Sequence, residues 1–107
     1  MASKKMFVEY QAEALAIATD RVARFNKIYR FNVGTIRIKN QTTRWGSCSK
    51  KGNLNFNYKL ALLPAELQDY LVVHELCHIG QFNHSKVFLD LVARTIPHHG
   101  ELRKRLR

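Results

Sequence analysis

Three histidines and one glutamate carry the chemistry this sequence offers. His74, His78 and His84 fall inside eleven residues of the stretch "VVHELCHIGQFNHSKVF", with Glu75 directly after the first. A four-residue step puts His74 and His78 about 40° apart on one face of an α-helix, one turn above the other. Two imidazoles so placed can share one Zn²⁺ at roughly 2.0–2.1 Å each. Glu75 lies about 100° from His74 and about 60° from His78, close to such an ion but off the ligand line. That suits a general base acting on a water that the metal activates. His84 is six residues beyond His78, about 600° of rotation if the helix continued. It reaches the same ion only if the helix stops near Gly80 and the chain turns back. Gly80 and Asn83 are stop residues at that place. Three histidines leave one coordination position open, the pattern of a catalytic rather than a structural zinc.

Chance does not readily produce this set. At this chain's composition an H-E-x-x-H match is expected in about 1% of sequences, and a third histidine at one fixed spacing lowers that to ~0.05%. Competing readings of the same residues are helix-surface histidines or a closed structural site that recruits Cys77. Asp90 or Glu101 could replace His84 as a ligand, but neither sits beside a helix break. His98 and His99 flank Pro97 and read as a loop or helix start, not as ligands. Zn²⁺ is the default for three imidazoles, and Ni²⁺, Co²⁺ or Fe²⁺ can occupy the same donor set.

The elements that must position these residues follow from periodicity. Residues 6–31 read as one long helix with Leu15, Ala18, Val22, Phe25 and Tyr29 inward and Arg21, Arg24, Lys27 and Arg30 over much of the other side. Alternation predicts strands at 35–40, 43–49 and 53–58, the last two as a hairpin around "KKGN". Pro64 opens a helix over 65–80, with Leu67, Leu71, Val72 and Leu76 as core positions. Ser85 caps a helix over 86–96 whose apolar side is Val87, Phe88, Leu91 and Val92. Pro97 ends it, and a short basic helix closes the chain. Helix, three strands, then helices describes an α+β fold with a small antiparallel or mixed sheet.

The bulk numbers bound the function. At 107 residues the chain has room for one core and one domain, 1–107. Its hydrophobic fraction of 46% fits a folded globule. No apolar run approaches a membrane span, and "MASKKMFVEY" lacks the apolar core of a secretory signal, so the expected compartment is the cytoplasm. Cys48 and Cys77 are then two free thiols rather than a disulfide. The net charge of +10 favours polyanionic partners, with the densest cations in the tail "ELRKRLR". The same cations also suit a helix C-terminus.

Two stretches narrow the class. "RWGSCSKKGNLNFNYKLALLP" and "DYLVVHELCHIGQFNHSKVF" closely resemble the YgjP-like zinc metallopeptidase domain, and more distantly SprT-like proteases. The resemblance implies a minimal zincin fold: a long N-terminal backing helix, a three-stranded sheet, an active-site helix and C-terminal helices. It also implies that His74, His78 and His84 are zinc ligands, that Glu75 is the base, and that both cysteines are free. The chain departs from the family at Leu89, where an aromatic is common, and at His98 and His99, where a tyrosine is common. Family members are commonly longer. The 78-to-84 spacing equals that of metzincins, whose glycine would fall at Gln81 rather than Gly80.

In zincins a sheet edge near the metal pairs with extended substrate. Arg44, Trp45 and Gly46 are therefore the candidate substrate-binding residues, with Arg44 facing an anionic group. Their structural alternatives are an ion pair for Arg44 and a core ring for Trp45. Gly46 in a strand marks a bulge or a close approach by another backbone. The leading expectation is a zinc-dependent hydrolase that cleaves polypeptide. The alternatives are a nucleotide or phosphoester hydrolase, a DNA-associated protease of SprT-like type, and a nucleic-acid-binding module with structural zinc.

Overall fold

Apolar residues at three- and four-residue steps, with no proline or internal glycine, drive the first 28-residue helix, α1 (Ala2–Tyr29). The computed structural model describes residues 2–41 and 43–106, with side chains from Lys4 onward; Arg107 of the basic tail lies outside them. Ala14, Ala18, Val22 and Tyr29 are buried on the inner face of α1. Leu15, expected inside, is 40% exposed, because Ala14 takes the inward position one residue earlier. Arg21 and Arg24 do not face away as a free cationic side: both bond Asp69 of the next long helix, at 2.7 and 3.2 Å.

Three short strands follow: β1 (Ile36–Lys39), β2 (Gly46–Cys48) and β3 (Leu54–Asn57). The sheet order is β1-β3-β2, with β1 parallel to β3 and β2 antiparallel to it, so the sheet is mixed and the hairpin is present. The period-2 pattern buries Leu54 and Phe56 of the central strand on one face. Asn57 explains why an amide sits in this strand. Its side chain donates to the carbonyls of Gln41 (2.7 Å) and Arg44 (3.1 Å) and accepts from the Lys59 N–H (2.9 Å). One buried residue thus fixes the approach to β2 and caps the 3₁₀ turn Tyr58–Leu62.

α2 (Ala65–Cys77) is the central helix. Leu67, Leu71, Val72 and Leu76 are buried as expected, and so are Tyr70, Val73 and Cys77, so the helix is enclosed on nearly every side. α1 packs against it, against the 3₁₀ turn and against β1. α3 (Lys86–Ala93) and α4 (His99–Arg105) complete the chain. α3 is shorter than 86–96. It stops in a turn at Arg94 and Thr95 before Pro97 is reached, where the Tyr29 hydroxyl donates to the Leu91 carbonyl (2.6 Å) and lies 2.9 Å from Thr95 Oγ1. Val87 faces outward at 57% exposure, and Ser85 stands at the N-cap of α3 without a side-chain capping bond.

Candidate metal centre and active-site cleft

Everything that brings the three histidines together happens at the C-terminal end of α2. The helix ends at Cys77, three residues before the expected limit, and His78 is its C-cap. The Gly80 and Gln81 N–H groups both bond the Cys77 carbonyl at 3.1 Å, closing a last turn that cannot propagate. Gly80 is needed there for space rather than for a left-handed backbone: a Cβ would lie 2.6 Å from Phe31 Cζ. Phe31 is held at that spot by Asn26, whose side chain accepts from the Phe31 N–H (2.8 Å) and donates to its carbonyl (2.9 Å). The end of α1 therefore shapes the break after α2, and the break returns His84 to the helix.

The ligand atoms of His74, His78 and His84 all lie within 4.8 Å of one another. The Nε2 atoms of His78 and His84 are 3.1 Å apart. His78 Nδ1 is 3.1 Å from the Gln81 carbonyl, which can only accept, so the ring proton sits on Nδ1 and Nε2 presents its lone pair. Phe88, 1% exposed, forms the floor. Its ring stacks on His78 at 4.3 Å and meets His74 and His84 edge-on at 5.1 Å. Burial, reinforced by the neighbouring histidines, pushes His74 down to about 4. Burial also lowers His78, against the opposing pull of the Gln81 carbonyl. Both rings are neutral at pH 7 and their nitrogens are free to ligate. A three-imidazole set whose ligand atoms lie this close together fits a zinc-class ion.

Glu75 is on the adjacent face of α2 and 6% exposed. Its carboxylate accepts no hydrogen bond from the described residues. Burial pushes it up to about 7, and the Arg44 guanidinium opposes that rise. Gly46 of β2 makes room for it. A Cβ at position 46 would lie 2.9 Å from the Asn55 carbonyl oxygen, 3.0 Å from Glu75 Cγ and 3.1 Å from Glu75 Oε2. The close approach expected at this glycine is thus to a strand carbonyl and to the glutamate at once.

Two cavities adjoin the histidines. One, of about 310 Å³, is walled by Arg44, Trp45, Gly46, Glu75 and His74, with Tyr70 and Arg103. The other, of about 290 Å³, is walled by His84, Phe88, Leu89 and Val92, and shares Tyr70, His74 and Arg103 with the first. Trp45 is half-buried, so its ring both packs on the core and faces the cleft.

The family described as YgjP-like, metallopeptidase domain, matches residues 2–107. The chain belongs to that family. It is a metallopeptidase, a metal-dependent hydrolase whose substrate is polypeptide. No curated protein is a significant match. Among solved structures, the metallopeptidase zymogen abylysin of Pyrococcus abyssi superimposes with a TM-score of 0.76 at 22% identity, over 83% of this chain and 90% of that one. The zymogen jannalysin of Methanocaldococcus jannaschii gives 0.71 at 24% identity, over 83% and 92%. Both share the α+β fold of this metallopeptidase, as the resemblance read from the sequence implied.

The metallopeptidase gathers His74, His78 and His84 and leaves the alternatives outside. Asp90 is exposed and bonds Lys86 at 3.1 Å. Glu101 is exposed on α4. Cys77 is buried in the core cluster that also holds Tyr29, and the thiol is free, as is that of Cys48. Burial raises both thiols to about 11. His98 stays apart, while His99 reaches the wall of the second cavity. Sequence reading missed Tyr70, although it stands four residues before His74 and so shares its helix face. It treated Phe88 only as core, and Arg103 only as part of a basic tail. Among the described residues no helix is long and apolar enough to cross a membrane.

Proposed function

We propose that His74, His78 and His84 together hold the zinc ion and that Glu75 is the general base for peptide-bond hydrolysis. The observation that carries this reading is the return of His84: its ring nitrogen comes within 3.1 Å of that of His78 after the helix has broken. Zinc bound there would supply Lewis acidity toward a water and toward the scissile carbonyl. The chain supplies the rest. The Gln81 carbonyl fixes the tautomer of His78, and Phe88 packs against all three rings, whose ligand nitrogens converge within 4.8 Å of one another. Glu75, held near 7 by burial, takes a proton from the attacking water and returns it to the leaving amine. β2 is an edge strand, and its first residue, Gly46, lines the cavity that holds Glu75, which suits an extended peptide with Arg44, Trp45 and Gly46 as its contacts. The family match carries polypeptide over nucleotide as substrate, and two free thiols fit a reducing compartment.

The test compares three proteins for zinc content and cleavage of an unfolded polypeptide. Wild type is expected to hold one zinc and to cleave. Glu75→Gln should keep the zinc and lose turnover, and His84→Ala should lose both. Full activity in Glu75→Gln would end the role given to that residue.

A further inference from the structure

Arg44 and Arg103 come from distant parts of the chain and face one cavity. Arg44 precedes β2 and Arg103 lies in α4, yet both wall the 310 Å³ space that contains Glu75 and His74. Arg21 and Arg24 bond Asp69 and Arg105 bonds Glu66, while Arg30, Arg37 and Arg94 form no ion pair among the described residues and wall neither cavity beside the histidines. Neither Arg44 nor Arg103 has a carboxylate partner among the described residues. Glu75 is the one acid on that wall, so two cations face one buried anion and the space stays positive. Their charges reach the cleft: that of Arg44 is felt at Glu75 and that of Arg103 at Tyr70. Glu75 offsets part of this charge through its attraction to Arg44, and an incoming anion would offset the rest. Arg103 also borders the second cavity, whose remaining walls include the apolar Phe88, Leu89 and Val92.

We infer that Arg44 and Arg103 bind a carboxylate of the polypeptide substrate beside a pocket for an apolar side chain. This rests on the metallopeptidase reading of the cleft. The carboxylate is that of an Asp or Glu side chain or the free C-terminus. Both offer the planar oxygen pair that a guanidinium fork matches.

The test uses the zinc-loaded full chain and pairs of peptides with Glu or Gln at each position in turn, and with a free or amidated C-terminus. Two partly shielded ion pairs should favour the carboxylate peptide roughly tenfold in kcat/KM, carried mainly by KM. Preference at an internal position assigns the side chain, and preference at the free acid assigns the terminus. Arg103→Gln or Arg44→Gln should bring the ratio toward one, and Arg103→Lys should restore part of it. A wild-type ratio near one throughout, or a preference that survives both substitutions, overturns the inference. If no peptide is cleaved, the peptidase reading fails separately. Binding of the same pairs to zinc-loaded Glu75→Gln, with and without Arg103→Gln, then decides: tighter binding of the carboxylate lost with the arginine supports the inference, and equal binding overturns it.

Discussion

Gly46→Ala puts one methyl group between a strand and the glutamate of the cleft. The new Cβ would stand 2.9 Å from the Asn55 carbonyl oxygen, 3.0 Å from Glu75 Cγ and 3.1 Å from Glu75 Oε2. Carbon and oxygen prefer separations several tenths of an ångström longer. The Asn55 carbonyl belongs to β3, the central strand of the sheet, so it yields little and Glu75 must move. Overpacking of this kind costs about 1–3 kcal/mol. In a domain of this size that is a fall in Tm on the order of 5–15 °C. Displacing a reacting group by part of an ångström removes roughly tenfold to a hundredfold of the rate. Thermal unfolding and kcat/KM on one polypeptide substrate measure both effects, and zinc content should be unchanged because no histidine is touched. A Gly46→Ala protein with wild-type stability and wild-type kcat/KM would refute the packing argument and with it the placement of β2 against Glu75.

Other perturbations have equally definite outcomes. Phe88→Ala empties the floor under three rings and should destabilise by about 3–5 kcal/mol. Phe88→Leu keeps most of the volume, so the fold should survive while zinc affinity falls roughly tenfold or more as the rings lose their support, read by competition with a chelating dye. Glu75→Gln in metal-free protein should show a pH signature. The folded carboxyl is raised from 4.5 to about 7, so the folded state binds more protons than the unfolded one across that window and wild-type stability drains away as pH rises through it. The glutamine protein lacks this loss. Its advantage should be absent near pH 4, grow between about pH 4.5 and 7, and level off at no more than about 3 kcal/mol. Urea unfolding at several pH values measures it, and a flat difference contradicts a Glu75 carboxyl raised by burial. Tyr29→Phe removes the bond to the Leu91 carbonyl and should cost about 1–2 kcal/mol in the same assay.

Local pattern carried a large share of this structure. The i, i+4 spacing of His74 and His78 and the sidedness of Glu75 are helix geometry, legible without a fold. So is the logic that His84 requires a break. The means of the break was not legible. Gly80 read as a backbone stop, but it serves to admit Phe31, a residue 49 positions earlier that Asn26 holds in place. Contacts of that range leave no periodic trace. The same reason hid Arg103, which joins the cleft only because α4 folds back toward α2. Strand identities came from alternation, while the parallel pairing of β1 with β3 joins Ile36 to Leu54 across the β2 that intervenes in the sequence, which alternation does not encode. Leu15 and Val87 show the limit of heptad-like counting: a helix face is wider than one residue, and the neighbour packed against it chooses which side chain points in.

X-ray absorption at the zinc edge of the fully loaded protein addresses the central claim most directly. Three imidazole nitrogens at roughly 2.0–2.1 Å with one further light-atom ligand is the expected result, and His84→Ala should remove one imidazole from the fit. A sulfur ligand at about 2.3 Å, or two imidazoles in the wild-type protein, would contradict a centre built from His74, His78 and His84.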